Sequence, residues 1–286
     1  MNPANFPASF DASVDAALEW LTDNGAAVFD TLNEVLTGLY EGVLWVLTLA
    51  PFYVVAALIG ALAWKLSGRW RSALFTVLAL TFCSVVGLWA ETMSTLALVL
   101  AATTLALLVG IPCGVLAGLW PAMDRVTEPV LDLLQTLPPY IYLLPAIALL
   151  GYGSATALVA TFIVAVPPVL RLTSLGIRMT PRQFIELGEA SGTSGTQLFF
   201  KIRLPFALPS IMTGVNQSLM MAFGMVVIAG IVGSGGLGEA IYGAIRTLDI
   251  ARSIDAAIAI VILTLILDRL AQNATPSRRE ASHESH

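Results

Sequence analysis

The chain has 286 residues, 57% of them hydrophobic and 12% charged, with a mean hydropathy of +0.83 and a net charge of −5. A soluble domain carries about 25% charged residues, so the composition excludes an ordinary soluble enzyme and defines an all-α polytopic membrane protein. No nucleic-acid partner is expected. Cys83 and Cys113 both fall in apolar runs, where a thiol behaves as a small hydrophobe, and no disulfide or metal framework is expected of them.

The first forty residues lack a basic segment followed by a compact apolar core, so no cleavable signal peptide is expected and the spans themselves direct insertion. From Ser9 to Tyr40, apolar residues such as Val28, Phe29, Leu32, Val35, Leu36 and Leu39 recur at helical intervals. Asp11, Asp15, Glu19, Asp23, Asp30 and Glu34 occupy the remaining positions. The pattern predicts two amphipathic helices broken at Asp23-Asn24-Gly25, and residues 1–42 read as an extracytoplasmic or interfacial extension. Its acidity disfavours an anionic cytoplasmic leaflet.

About seven transmembrane helices follow within a membrane domain of residues 43–272: Val43 to Trp64, Ser72 to Ala90, Met93 to Leu119, Val130 to Leu150, Ala155 to Leu170, Ser210 to Val232 and Ile254 to Leu270. Pro138, Pro139 and Pro145 should interrupt the fourth, and the fifth is short and ends in Pro167-Pro168. Residues 173–205 form the longest polar interruption, and residues 273–286 read as a disordered tail whose two histidines make no metal site. With Lys65 to Arg71 cytoplasmic, alternation puts twelve of the fourteen basic residues inside and leaves Arg246 and Arg252 outside. The N-terminus is then outside and the C-terminus cytoplasmic. Trp45, Trp64, Trp70, Trp89 and Trp120 lie near span ends, as interfacial anchors should.

Gly233-Ser-Gly-Gly-Leu-Gly238 matches a dinucleotide fingerprint formally, but it follows a membrane span rather than a strand. Gly233, Gly235, Gly236 and Gly238 read instead as a flexible, gate-forming or re-entrant turn. Neither lysine, Lys65 or Lys201, precedes Ser or Thr, so there is no phosphate-binding P-loop and no catalytic residue is assigned. Span centres are almost free of carboxylates, with Glu91 and Asp268 at ends and Asp132 near the start of the fourth span, which argues against an ion-coupled carrier. Energy for uphill transport should therefore come from another subunit. Gly110, Gly114 and Gly118 present a smooth face for helix packing, and Met220, Met221 and Met225 read as packing too. Gln135 and Thr136 before Pro138-Pro139, with Tyr140, Asn216 and Gln217, are candidate pathway groups, because buried amides and proline-freed carbonyls need a polar cavity or partner.

Glu186, Gly192, Ile202, Leu204 and Pro205 carry the spacing of the coupling motif in permease subunits of binding-protein-dependent ABC importers, with Leu187 and Gly188 where that motif has two alanines. From about Asp124 to Leu270 the chain resembles the glycine betaine, proline and choline permeases, through LDLLQTLPPYIYLLPA, VPPVLRLTSLGIR, RLPFALPSIMTGVNQSLMMAFGMVVIAGIVGSGGLG and AIAIVILTLILDRL. The resemblance implies a type I importer of the bacterial inner membrane: two copies of this chain, a dimer of cytosolic ATPases holding ATP and magnesium, and a separate extracytoplasmic substrate-binding protein. It implies a non-catalytic subunit without a cofactor of its own. The Glu186 segment would be the coupling helix, with Pro205 redirecting the chain into the sixth span. A quaternary ammonium cargo would find aromatic faces at Tyr140, Tyr142 and Phe223; an amino acid or trimethylamine oxide is the alternative cargo.

Overall fold

A computed structural model describes residues 6–274, and every regular element among them is a helix. At its centre α4 (Trp89–Leu119) and α7 (Ser154–Arg178) touch backbone to backbone along the glycine stripe. A Cβ added at Gly110 would fall 2.5 Å from Val169 Cγ1, at Gly114 2.6 Å from the Leu170 carbonyl oxygen, and at Gly118 2.7 Å from Ile177 Cβ. Both residue numbers rise together along this contact, so the two helices are parallel. α10 (Leu204–Ala229) packs antiparallel on α7, with Gly176 against Ala207, Gly214 against Val169, and Ser218 Oγ donating to the Ala165 carbonyl at 2.6 Å. Lipid offers apolar side chains no driving force toward one another, and small residues supply the close contact that holds such helices together.

This order gives the bundle two ends. At one, Gly153 N–H donates to the Val232 carbonyl, the Leu237 N–H donates to Thr95 Oγ1, and the rings of Phe52 and Trp89 meet at 6.0 Å. At the other, Asp124 of α5 (Pro121–Thr136) pairs with Arg178. The hairpin of α2 (Phe52–Ser67) and α3 (Trp70–Val85) turns at Gly68, φ 65°, and the Arg269 guanidinium of α12 (Ile250–Ala274) lies 4.8 Å from the Phe75 ring centre near that turn. The described basic residues thus gather at this second, basic end, apart from Arg246 and Arg252; Arg252 pairs with Glu91 at the opposite end. Arg278 and Arg279 lie outside the described residues.

Several expected boundaries move. α1 (Phe6–Thr48) runs unbroken through Asp23-Asn24-Gly25, where Asn24 Nδ2 donates to the Trp20 carbonyl at 2.9 Å and so supports the helix instead of ending it. α1 buries Leu36 and Tyr40 and docks near the end opposite the basic one, where Asn33 Nδ2 donates to the Leu150 carbonyl at 2.6 Å. The first span is therefore not one helix from Val43: Pro51 has no N–H and ends α1, and α2 leaves at 95° to it. The fourth breaks at Pro138-Pro139, where a 3-10 turn (Pro139–Tyr142) leads into α6 (Leu143–Leu150) at 104° to α5. Pro145 interrupts nothing, because it sits in the first turn of α6, where no carbonyl partner is lost. The fifth does not stop at Pro167-Pro168; both prolines are buried and α7 continues to Arg178. Among the described residues, four helices are individually long and apolar enough to cross a membrane, six if each bent pair counts as one span, and α3 is a further apolar helix of 16 residues.

Gly114→Val should lower the thermal unfolding midpoint of the detergent-purified chain by the equivalent of about 2–3 kcal/mol, since backbone cannot yield as a side chain would. Gly224, whose Cβ would meet nothing within 4 Å, should accept Ala with no loss. Equal shifts for the two would remove the glycine contact as the organising feature.

Candidate functional site

α7 passes through Pro181 into α8 (Arg182–Ala190), and a short turn leads to α9 (Gly195–Leu198). Gly192 has φ 71° and open space around it, so glycine is required there by backbone conformation and not by crowding. Thr193 Oγ1 donates to the Gly188 carbonyl at 2.8 Å, closing the end of α8. Ser194 then opens α9 with a capping box: its Oγ accepts from Gln197 N–H at 3.3 Å, and Gln197 Oε1 accepts from Ser194 N–H at 3.1 Å.

Pro205 does not redirect the chain. A π-helical turn, Phe199–Arg203, carries α9 directly into α10, so that Gly195–Val232 is one helix of 38 residues. Leu204 N–H bonds to the Phe199 carbonyl, five residues back, and this widening relieves the clash that a proline ring makes with the preceding turn. Gly188 fits the same packing: a Cβ there would lie 2.8 Å from both Ile202 Cδ1 and Leu198 Cδ1. Gly188 thereby lets α8 lie against the π turn. Leu187 and Phe200 are more than half exposed, and Glu186 pairs with Arg182 at 3.3 Å, both of them in solvent, where such a pair contributes little. The segment offers apolar side chains on a polar surface.

Two ion pairs that the sequence reading missed join α5 to α7 immediately before this segment. Asp124, 15% exposed, pairs with Arg178 and accepts from Ser174 Oγ at 3.1 Å; Asp132 pairs with Arg171. The signal was present in principle, as two carboxylates eight residues apart facing two arginines seven apart, each about two helical turns.

The candidate pathway residues fall into separate places. Asn216 Nδ2 donates to Asp268 Oδ1 at 3.2 Å and Gln272 Nε2 donates to both Asp268 oxygens at 2.8 Å. These three, with Gln217, line a hollow of about 430 Å³. Gln135, Thr136, Pro138, Pro139 and Tyr140 are exposed around the break after α5, with the Thr136 hydroxyl donating to the Leu133 carbonyl at 3.1 Å. Tyr142 is buried and its hydroxyl donates to the Leu134 carbonyl at 2.7 Å. Phe223, 4% exposed, packs in the main apolar core, as does Met225.

The glycine-rich turn is tied rather than loose. Gly233, Gly235 and Gly236 all have φ between 71° and 80°. Glu239 Oε2 accepts from Gly235 N–H at 2.7 Å, Thr95 holds Leu237 N–H, and a Cβ at Gly238 would sit 2.7 Å from the Val227 carbonyl oxygen. The turn thus seats α11 (Gly236–Thr247) on the end of α10. A helix precedes it, which removes the dinucleotide reading.

Long apolar helices packed through glycine, a hairpin joining two of them and amides facing a hollow describe a multi-pass membrane protein. Residues 110–280 match the binding-protein-dependent transport system inner membrane component family. The glycine betaine transport system permease protein OpuAB of Bacillus subtilis (strain 168) is 39% identical over 90% of both chains. The glycine betaine/proline betaine transport system permease protein ProW of Escherichia coli (strain K12) is 37% identical over 89% of this chain and 72% of its own. Among solved structures, an inward-facing MetNI methionine ABC transporter superposes with a TM-score of 0.58 at 24% identity, over 66% of this chain and 96% of the other, which shows the fold. The chain belongs to the family of binding-protein-dependent transport system inner membrane components.

Asp124→Ala leaves the buried Ser174 hydroxyl without its acceptor, while Arg178, 44% exposed, can turn to solvent; the loss should be about 1–2 kcal/mol. Asp132→Ala breaks a pair whose members are 60% and 41% exposed and should cost less than about 1 kcal/mol. Thermal unfolding of the two variants checks the order; a larger loss for Asp132→Ala contradicts it.

Proposed function

We propose that this chain is the translocating subunit of an ATP-driven importer of quaternary ammonium compounds such as glycine betaine, choline or proline betaine. The observation that carries the reading is the 39% identity to a glycine betaine permease along nine-tenths of both chains, a span that includes the α8–α9 hairpin, the α5–α7 ion pairs and the glycine-rich turn. In this reading a second copy of the chain completes the path, a dimer of cytosolic ATPases holds ATP and magnesium, and a separate extracytoplasmic protein delivers the cargo. The basic end is cytoplasmic, which follows from the distribution of Lys and Arg.

The mechanism uses the chain's own rigidity. Glu186, Leu187, Gly188 and Gly192 with Ile202, Leu204 and Pro205 form the coupling hairpin, and Leu187 and Phe200 supply its exposed apolar contacts for the ATPase. α7 enters the hairpin and α10 leaves it without a break, and their glycine contacts make them one body. A push on the hairpin therefore tilts α7 and α10 together, and the Asp124 and Asp132 ion pairs carry the motion into α5 and the Pro138-Pro139 break. Of the aromatic residues, Tyr140 is open to a passing cation. Gln135, Thr136, Asn216 and Gln217 provide the polar lining.

Reconstituted into vesicles with its ATPase and binding protein, the chain should accumulate labelled glycine betaine only when ATP is supplied on the hairpin side. Uptake by the chain alone under an ion gradient would overturn the reading. Gly192→Val forces a β-branched residue into the left-handed region and should abolish cargo-stimulated ATP hydrolysis while the protein still inserts. Single cysteines placed at Ser194 and at Leu248, which is 85% exposed, in a background without Cys83 and Cys113, should label from opposite membrane faces.

A further inference from the structure

At the basic end, the turn between α2 and α3 and the last turns of α12 enclose a polar hollow of about 560 Å³, separate from the coupling hairpin. Three guanidinium groups line it: Arg69 and Arg71 from the turn and Arg269 from α12. No carboxylate is among its lining residues, and none of these arginines is in an ion pair among the described residues. The nearest acid along α12, Asp268, is already engaged by Asn216 and Gln272. Arg269 is held in place over the Phe75 ring. Ser67 and Ser72 add hydroxyl groups to the lining. Three like charges converging without a counter-charge repel one another, and an anion relieves that repulsion while accepting their hydrogen bonds.

The level of the hollow selects the anion. It lies at the turn between two apolar helices, and Trp64 and Trp70 on either side of that turn are 58% and 64% exposed, as residues at headgroup depth are. We propose that this hollow binds a phosphate group, supplied by the headgroup of an anionic phospholipid whose chains lie against α2 and α3. Guanidinium forks match phosphate oxygens in pairs, which an ammonium does not.

Native mass spectrometry of the delipidated full-length chain in mild detergent tests this, with phosphatidylglycerol, phosphatidylcholine and inorganic phosphate as separate probes. Phosphatidylglycerol should give a saturable single adduct at concentrations where phosphatidylcholine gives none, and R69Q/R71Q/R269Q should weaken it at least about tenfold. R246Q/R252Q, at the opposite end, should leave it unchanged. A saturable adduct with inorganic phosphate but not with lipid, lost in the triple variant, retains the phosphate site and overturns its lipid source. Equal binding of both lipids, or an unchanged adduct in the triple variant, overturns the proposal. If the triple variant does not purify folded, R71Q and R269Q are measured singly, each expected to weaken the adduct several-fold, and no change in either overturns it.

Discussion

The close contact of α4, α7 and α10 is the constraint on which the rest of the structure depends. In a bilayer the hydrophobic effect does not draw helices together, and the gain must come from backbone surfaces that approach until dispersion is large. Gly110, Gly114 and Gly118 on one side, and Gly176 and Gly214 on the other, bring α7 within reach of both partners, with alanines such as Ala97, Ala157, Ala165 and Ala222 fully enclosed beside them. Because this contact fixes two helices parallel and the third antiparallel, it also fixes which polar segments share an end. The α8–α9 hairpin stands at one end and the tied glycine turn at the other as consequences of that packing.

Proline shows where sequence reasoning holds and where it stops. Pro51 and the Pro138-Pro139 pair end helices as their chemistry requires. Pro167, Pro168 and Pro205 do not, although the same chemistry applies. At Pro205 a π turn takes up the steric conflict locally, and at Pro167-Pro168 enclosure by neighbouring helices keeps α7 straight enough to reach Arg178. Both remedies depend on what surrounds the proline, which no pattern along the chain records. The apparent break at Asp23-Asn24-Gly25 failed for the related reason that Asn24 bonds backward into its own helix.

In the α8–α9 hairpin the sequence offered only the interval from Glu186 and Gly192 to Ile202 and Pro205; the left-handed backbone at Gly192 and the capping box at Ser194 came with the structure. The part that looked anomalous, glycine at position 188, becomes intelligible only once Ile202 and Leu198 are seen against it. The pathway groups were less legible. Asn216 and Gln217 were read as candidate pathway groups; the structure places them at a hollow shared with Asp268, some fifty residues on, while Phe223 and Tyr142 are turned inward. Residue type predicts that a buried amide needs a partner; only the fold supplies its identity.

Arginine is used at the basic end in two ways, and the difference follows from the helices that carry it. Arg171 and Arg178 extend from the central helix α7 and meet carboxylates on α5 as two cross-links beside the α8–α9 hairpin. Such pairs tie α5 to α7, and internal neutralisation leaves them nothing to offer an outside ligand. Arg69, Arg71 and Arg269 sit on the peripheral layer of α2, α3 and α12, which the central glycine contact does not touch, and no acid among the described residues lines their hollow. α12 separates the two environments: Gln272 lines both the hollow holding Asp268 and the one holding Arg269, and its amide is committed to the carboxylate. One helix thus keeps its negative charge turned toward α10 and its positive charge toward the lipid-facing hairpin. That division would let the proposed anion bind without competing for Asp268 and its amide partners.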